Sequence, residues 1–203
     1  GTSLTEATMH RRDSNGRYTI LVSKPASDKG KGYLQIDGTI WFYDPHDNQF
    51  TFTSSQNKFQ NTNANNGDFA PMNFARDYKI ESAVRVKLGT YNCVLFHLKA
   101  TAKKVDYPEI KIWVTEEDGL IRKKEDYSLS SQLLRTTSIP SYQKNSSGRS
   151  VPYKMLIVDN LRGKKIDGKM QFEKTQITIT NVNFEKQDDI VYTKTYLEMM
   201  GHQ

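Results

Sequence analysis

Apolar residues and cysteine are both scarce in this sequence. Only 36% of its 203 residues are apolar, and counting glycine in place of tyrosine leaves that fraction almost unchanged, below the roughly 45–50% typical of globular domains. No stretch approaches the roughly 20 consecutive apolar residues of a transmembrane helix. The single cysteine, Cys93, cannot form an internal disulfide, and its apolar neighbours predict a buried thiol. The core is therefore expected to be thin.

Aromatic residues and basic charge are present in quantity. Aromatics make up 11% of the chain, too many for a disordered protein. The net charge is +6, and residues 1–100 and 101–203 each carry half of it, so the excess is spread over a solvated surface and does not favour nucleic-acid binding. Two dense basic runs, residues 122–124 and 162–165, are interpreted as exposed turns. An anionic lipid headgroup or a partner protein stays open as their contact.

Short strands separated by turn signals are the main structural pattern. Asp37-Gly38 is a hairpin-type dipeptide between two strands at residues 33–36 and 39–43, and residues 50–53 alternate strictly. A strand at residues 91–99 is apolar on both faces for part of its length, which predicts an interior position in a sheet. Further strands are predicted at residues 82–88, 110–115, 120–125 and 151–159, and at 170–173 paired with 175–182.

The remaining segments predict little helix. Residues 54–66 are rich in Gln, Asn and Ser and predict a long loop, and residues 129–149 predict an irregular excursion. Asp68 is expected to cap a short helical segment that runs to Tyr78, and residues 196–200 form a weak helical pattern. The strand spacing indicates a β-sandwich, a barrel or a strongly curved half-barrel, in a single domain over residues 1–203.

No combination of residues typical of catalysis is present. The four histidines, at positions 10, 46, 97 and 202, lack metal-ligand spacing, and no nucleophile elbow, P-loop or dinucleotide-binding motif occurs. Carboxylates such as Asp106 and Glu109 could pair as acid and base, but exposed strand ends explain them more simply. We expect no catalytic residue, no metal site and no cofactor.

The aromatic residues leave two interpretations open. They fill a β core, or they line a cavity for an apolar ligand on a curved sheet, since ligand sites are concave and mostly apolar. Composition alone does not choose between these two.

An ordered series of motifs resembles the LolA-like family of outer membrane lipoprotein-sorting proteins. Trp41, Tyr43 and Pro45 reproduce the family's W-x-Y-x-P pattern. The other matching segments, in chain order, are residues 31–34, 67–69, 77–78, 93–98, 107–114, 120–123, 175–179 and 196–198. The order and spacing fit from about residue 29 to about residue 200.

The resemblance implies a fold and a set of binding residues. The fold is mainly β: a strongly curved antiparallel sheet forms an incomplete, half-open barrel, and short helices cover its concave face. An N-terminal helix and first strand are expected to be short or missing before Arg17. The hydrophobic cavity would be lined by Trp41, Tyr43, Phe50, Phe52, Phe96 and Trp113. The lid would comprise Phe69, Pro71, Met72 and Phe74.

The family also implies a function, that of a periplasmic carrier whose cavity shields the acyl chains of lipoproteins or of another lipid. The chain would be exported by a signal sequence outside the given residues and would act as a monomer that binds no nucleic acid. Whether an inner-membrane transporter hands over the cargo stays open. The alternative is a β-rich envelope or surface interaction module that has the same fold but transports nothing.

Overall fold

The computed structural model describes residues 1–203, and most of its regular structure is β-strand. The chain divides into two compact units. The five-stranded unit comprises Gly1–Asn57, Asn65–Met72 and Glu185–Gln203, and the seven-stranded unit comprises Lys58–Ala64 and Asn73–Phe184.

Twelve strands and two α-helices make up these units. The five-stranded unit contains β1 (Glu6–Arg12), β2 (Arg17–Lys24), β3 (Gly32–Ile36), β4 (Thr39–Asp44), β5 (Gln49–Thr53) and helix α2 (Lys194–Gly201). The seven-stranded unit contains helix α1 (Phe74–Asp77), β6 (Tyr78–Leu88), β7 (Tyr91–Ala100), β8 (Glu109–Thr115), β9 (Ile121–Tyr127), β10 (Leu133–Lys144), β11 (Ser150–Ile166) and β12 (Lys169–Thr178).

The first sheet is an antiparallel meander in the order β1-β2-β3-β4-β5. Its β3–β4 connection is the predicted hairpin, with Asp37 at φ 52° and Gly38 at φ 78°. Two consecutive positive φ values are those of a type I′ turn, whose twist matches that of the flanking strands. The predicted hairpin is confirmed. Strand β1 lies before Arg17, in the region where the family resemblance implies that an N-terminal helix and first strand are short or missing.

Helix α2 packs against one face of this sheet. Leu34 and Tyr43 of the sheet form a buried cluster with Leu197 of α2 and with Val191 and Tyr192, which end a 3₁₀ turn at Asp189–Tyr192. The Thr193 side chain caps α2 by accepting a hydrogen bond from the Tyr196 amide at 3.2 Å. This confirms the weak helical pattern as a helix.

The second sheet is also an antiparallel meander, in the order β12-β11-β10-β9-β8-β7-β6. Strand β7 is paired on both sides, with β6 and with β8, which confirms its predicted interior position. On one face of the sheet Leu98, Ile110 and Ile112 form a buried cluster, and Phe74 of α1 packs against it.

Strand β10 overturns the prediction of an irregular segment at residues 129–149. Arg135, Thr137 and Ile139 alternate along one buried face of β10, a pattern concealed by the surrounding Ser, Thr and Pro. Pro140 lies where the pairing with β11 shifts, between Ser138 and Ser141. A bulge accommodates a residue that cannot donate a ladder hydrogen bond, so the strand continues through it.

The predicted start of a helix near Asp68 is also wrong. The Asp68 carboxylate accepts the Asn65 amide at 2.8 Å, in a capping box for a 3₁₀ turn at Asn66–Phe69. Ala70 then adopts an extended conformation, as the residue before a proline prefers, and interrupts the helical path. Helix α1 begins later, where the Asn73 side chain accepts the Arg76 amide at 3.1 Å.

The strand pairing at the β12 edge of the second sheet also differs from the prediction. Residues 170–173 and 175–182 are predicted to pair with each other, but β12 is one strand that pairs with β11. Lys174 lies opposite Val158, in the middle of that ladder. No turn residue separates the two predicted strands, so the chain does not reverse there.

The predicted mainly β, antiparallel architecture with few helices is confirmed. The strands divide between two sheets, and each sheet ends in two different edge strands, β1 and β5 in one and β12 and β6 in the other. Neither sheet closes on itself, in agreement with the prediction of an unclosed barrel. Neither helix has the length and apolar character needed to span a bilayer.

Candidate ligand-binding surface

Four of the predicted cavity residues meet on one face of the five-stranded sheet. Trp41 and Tyr43 of β4 lie directly opposite Phe52 and Phe50 of β5. The ring centroids are 4.0 Å apart for Trp41 and Phe52, and 4.6 Å apart for Tyr43 and Phe50. Because residues two apart on a strand share a face, these two pairs form one continuous aromatic ladder. We call these four residues the aromatic ladder.

Exposure rises along the aromatic ladder from one end to the other. Tyr43 is completely buried in the cluster below α2, and Trp41 and Phe50 are half-buried. Phe52 is 71% exposed, the most open of the four. The ladder therefore joins the core of its unit to an exposed aromatic surface on edge strand β5.

A lysine lies over the middle of the aromatic ladder. The Nζ of Lys194, the first residue of α2, is 3.5 Å from the centroid of the Trp41 ring and 5.3 Å from that of Phe50. A cation is disfavoured by the dipole at a helix N-terminus, whereas an aromatic face attracts it. The ladder can therefore hold a cation in addition to apolar groups.

A hydrogen-bonded triad fixes the buried end of the ladder to the C-terminus of α2. The Tyr43 hydroxyl donates to Asn48 Oδ1 at 2.9 Å, and His202 Nε2 lies 2.7 Å from the same oxygen and 3.0 Å from the hydroxyl. Because Asn48 Oδ1 is an acceptor, Nε2 carries the proton on His202. Burial raises the pKa of Tyr43, so its hydroxyl remains a donor at neutral pH.

The predicted lid residues do not form one segment. Phe69 ends a 3₁₀ turn in the five-stranded unit, where its carbonyl accepts Arg11 Nη1 at 3.3 Å, and Pro71 and Met72 follow in the same unit, with Met72 exposed. Phe74 belongs to the seven-stranded unit, where its ring centroid is 6.3 Å from that of Tyr78. The assignment of these residues to a lid stays a prediction.

The other two predicted cavity residues, Phe96 and Trp113, lie on opposite faces of the seven-stranded sheet. Phe96 pairs with Ile112, and Trp113 pairs with Leu95, so the alternation of the two strands separates them. Phe96 packs against the apolar cluster. Trp113 lies on the other face, with Lys123 Nζ 4.7 Å from its ring centroid. A single surface of this sheet can present only one of the two aromatic residues.

A buried ion cluster on the apolar face of the seven-stranded sheet has no counterpart in the sequence prediction. Asp126 Oδ2 accepts a hydrogen bond from Arg135 Nε at 2.8 Å, and Asp126 Oδ1 forms an ion pair with Lys124 Nζ at 2.8 Å. The side chains of Asp126, Lys124 and Arg135 are only 0%, 9% and 6% exposed. The Tyr107 ring lies 5.6 Å from Lys124 Nζ and 5.0 Å from the Arg135 guanidinium carbon. Asp126 and Lys124 share this face with Ile110 and Ile112, their partners on β8.

The ion cluster also corrects the interpretation of residues 122–124 as an exposed turn, since these residues lie in β9 and Lys124 is buried. The alternation of Lys124 with Asp126 was the only available signal in the sequence. It is indistinguishable from the alternation on a solvated face until the strand is placed in the sheet.

The remaining features do not suggest chemistry. Cys93 is buried, as predicted, and burial raises the pKa of its thiol. No group of three or more His, Cys, Asp or Glu side chains is arranged to hold a metal ion. Two shallow depressions, of about 380 and 360 Å³, are lined mainly by polar residues around Thr39 and around Thr90, and neither includes a predicted cavity residue.

Comparisons with known proteins define the class of fold. A LolA superfamily protein from Nitrosomonas europaea is 22% identical, over 96% of this chain and 83% of that protein, with a TM-score of 0.71. A Vibrio parahaemolyticus domain described as outer membrane lipoprotein-sorting is 14% identical over the same shares, with a TM-score of 0.72. A DUF1329 family protein from Desulfovibrio piger is 15% identical over 95% and 82% of the two chains, with a TM-score of 0.69.

These similarities confirm that the chain has the LolA-like fold that its sequence motifs resemble. The chain belongs to a protein family described as "uncharacterized protein-like", whose sequence profile matches residues 14–199. No significant match was found among curated proteins.

Proposed function

We propose that this protein is a periplasmic carrier that binds acyl chains, of lipoproteins or of another lipid, for sorting toward the outer membrane. The observation that carries the proposal is the aromatic ladder, whose open end keeps Phe52 71% exposed beside the half-buried rings of Trp41 and Phe50. The LolA-like fold supports it, since one protein with this fold is described as an outer membrane lipoprotein-sorting domain. The chain acts as a monomer in this proposal.

The energetics of acyl transfer explain why such a surface suits a carrier. Each acyl CH₂ group moved from water to an apolar site gains about 0.8 kcal/mol. The flat rings of Trp41, Phe50 and Phe52 offer contact area with little loss of side-chain freedom on binding. Lys194, above Trp41, can additionally meet a negatively charged headgroup at the end of the chain.

The proposal assigns the protein a binding role and no enzymatic one. Apolar rings make up most of the ladder, and the Tyr43 hydroxyl at its buried end is held in the triad with Asn48 and His202. Transfer of an acyl chain between membranes requires shielding from water and no bond to be made or broken. The proposed carrier therefore uses no cofactor.

A second candidate is an interaction module of the same fold that transports nothing. The close packing of α2 favours it, because a β-carbon at Gly32 would lie 2.7 Å from Leu197 Cδ2 and one at Gly201 would lie 2.9 Å from Tyr43 Cε1. In this alternative α2 stays fixed on the sheet, and only the exposed Phe52 end of the ladder contacts a partner protein.

Lipid binding by the delipidated protein distinguishes the two candidates. Purified protein is analysed for bound lipid by mass spectrometry, then delipidated and titrated with a fluorescent fatty acid. The carrier proposal predicts saturable binding that Phe52→Glu weakens at least about tenfold, because a carboxylate would replace an apolar contact. Phe184→Glu is the matched control, since Phe184 is also exposed but lies in the seven-stranded unit.

Two results would contradict the carrier proposal. One is the absence of both copurified lipid and fatty-acid binding in the folded wild-type protein. The other is an equal affinity of the Phe52→Glu variant and the wild type, which would place any lipid site away from the ladder. Equal losses in the Phe52→Glu and Phe184→Glu variants would contradict the assignment of the site to the ladder in the same way.

A further inference from the structure

The hairpin of β11 and β12 extends beyond the rest of the seven-stranded sheet. The last β11 residue with a partner on β10 is Asp159, opposite Arg135. Beyond it, residues 163–166 pair only with residues 169–172, and residues 160–162 form a bulge at the base. Asp167 and Gly168, at φ 50° and 75°, close the tip as a type I′ turn. We call residues 161–172 the ribbon arm.

The ribbon arm is exposed along almost its whole length. Every residue from 161 to 171 is exposed, and Phe172 is half-buried. Three of the exposed side chains are large and apolar: Leu161, Ile166 and Met170 are 56%, 46% and 49% exposed. A two-stranded ribbon with aliphatic side chains in water is marginally stable on its own, so this arm is suited to a partner that covers it.

The ribbon arm also holds an unusual concentration of positive charge. It contains Arg162, Lys164, Lys165 and Lys169 against the single carboxylate of Asp167, a net charge of +3 in a protein whose total is +6. The three lysines form no ion pair, and Arg162 lies 4.0 Å from Asp159 Oδ2, at the base of the arm. The arm is a strand ribbon, and its basic run at residues 162–165 is exposed, although not in a turn as the sequence indicated.

The pairing register gives the distribution of these side chains around the arm. Ile166 lies opposite Lys169 and shares its face with Lys164, whereas Met170 lies opposite Lys165 on the other face. Near the tip, one face therefore presents Ile166 beside Lys164 and Lys169, and the other presents Met170 beside Lys165. A surface that contacts both aliphatic groups must meet the arm end-on at its tip.

We propose that the tip of the ribbon arm is a docking element for an anionic phospholipid surface. Ile166 and Met170 enter the interface between headgroups and acyl chains, and Lys164, Lys165 and Lys169 contact lipid phosphates around them. Juxtaposed aliphatic and basic groups match the two layers of such a surface, and an anionic leaflet attracts lysines within a screening length. The proposal does not depend on acyl binding by the aromatic ladder.

The same residues fit a nucleic acid less well. Single-stranded nucleic acids are bound by exposed aromatic rings together with cations. The only aromatic residue of the arm, Phe172, lies over Gly163, where a β-carbon would be 3.0 Å from Phe172 Cδ1. The glycine lets the ring pack against the ribbon, so the ring is not free to stack on a base.

Vesicle binding tests the proposal on the full chain. The probes are vesicles of pure phosphatidylcholine and vesicles in which roughly one-third of the lipid is phosphatidylglycerol, with binding measured by flotation. Wild-type protein is expected to bind only the anionic vesicles, and less when NaCl rises from about 0.05 M to about 0.5 M. The triple variant Lys164→Glu, Lys165→Glu, Lys169→Glu should lose on the order of 100-fold in partitioning.

Two further variants separate location from net charge and from unfolding. The control triple Lys87→Glu, Lys103→Glu, Lys104→Glu alters the same number of exposed lysines in the same unit, and it should lose only a few-fold. Ile166→Ser with Met170→Ser keeps every charge and should reduce binding about tenfold or more through lost apolar contact. Thermal unfolding checks that each variant is folded. We expect the variants to fold, because the substituted side chains are exposed.

Several outcomes would overturn the proposal. The proposal is wrong if the wild-type protein does not bind anionic vesicles at low salt, or if it binds neutral vesicles equally well. Equal losses in the two lysine triples would assign the effect to net charge alone. Tighter binding to single-stranded DNA than to the anionic vesicles, lost in the arm variant, would replace the membrane with a nucleic acid.

Discussion

Trp41 and Phe52 face each other across β4 and β5 with their ring centroids 4.0 Å apart, and the Nζ of Lys194 lies 3.5 Å from the centroid of the Trp41 ring. The Trp41 ring therefore contacts both a neutral ring and a cation. The Phe52 side chain is exposed. A ligand that extends from Phe52 onto the Trp41 ring would therefore come close to the Lys194 ammonium.

The two ends of the aromatic ladder should differ sharply in their contribution to stability. Phe52→Ala is expected to lower the free energy of unfolding by about 1 kcal/mol or less, because the ring is mostly in water and loses only its contact with Trp41. Tyr43→Ala should lower it by about 3–5 kcal/mol, because the ring is buried and its hydroxyl is hydrogen-bonded. Urea denaturation measures both. Similar losses would show that Phe52 belongs to the core.

The packing of α2 depends on Gly30, because there is no room for a side chain at this position. Gly30 has φ +91°, and a β-carbon there would collide with the Gly201 carbonyl oxygen and lie 3.0 Å from Pro45 Cγ. Gly30→Ala is therefore expected to lower the free energy of unfolding by more than about 2 kcal/mol.

Gly38→Ala is the matched control for Gly30, because Gly38 also has a positive φ, +78°, but no atom lies within 4 Å of its β-carbon position. It should lose only about 1 kcal/mol, the backbone penalty alone. Thermal and urea unfolding compare the two variants. If they lose equally, the contact between Gly30 and α2 contributes nothing to the stability of this unit.

The strands and the turn that the sequence pattern predicted correctly are those whose partners are close in sequence. Trp41 with Tyr43 and Phe50 with Phe52 alternate on two strands joined by a short turn, so the hairpin alone brings them to one face. Asp37-Gly38 likewise predicts its turn from two adjacent residues alone. Phe96 and Trp113 lie on neighbouring strands too, but which face each occupies depends on the register of a longer connection, which hydropathy does not encode.

The features that the sequence concealed are polar residues in buried positions. Thr137 in β10 and Lys124 in β9 lie inside, although their neighbours are as polar as those of an exposed strand. A prediction from composition places such residues at the surface, because burying an unpaired polar group is unfavourable. A buried charge is tolerated where a group of opposite charge lies beside it, as Asp126 does for Lys124. That partner can be identified only when the fold is known.

The ion cluster should be sensitive to the loss of the Asp126 carboxylate. Asp126→Asn removes the carboxylate that pairs with buried Lys124 and Arg135, and we expect the free energy of unfolding to fall by about 3–5 kcal/mol. The triple variant Lys124→Met, Asp126→Leu, Arg135→Met removes all three charges and should recover most of that loss. Urea denaturation compares them. A triple variant as unstable as Asp126→Asn would show that the penalty arises from packing and not from uncompensated charge.

The turn between β8 and β9 should make stability depend on pH through Asp118. The Thr115 hydroxyl donates to its carboxylate, followed by the Leu120 amide at 3.0 Å and Arg122 Nη2 at 3.0 Å, and these bonds hold the pKa of Asp118 below its ordinary value of 3.8. The unfolded chain therefore binds a proton more readily than the folded one in this range. The stabilisation is complete above the ordinary pKa and is lost as pH falls through the lower folded value.

Asp118→Asn tests this dependence directly. The variant should be less stable than the wild type near pH 7, and the difference should shrink as the pH falls from about 5 toward about 2, where the wild-type carboxylate becomes protonated as well. Unfolding by urea at each pH measures the difference. Glu117→Gln, in the same turn, is the matched control and should follow the wild type, because the Glu117 side chain is exposed. A difference between Asp118→Asn and wild type that stays constant with pH would assign the effect to hydrogen-bond geometry and not to charge.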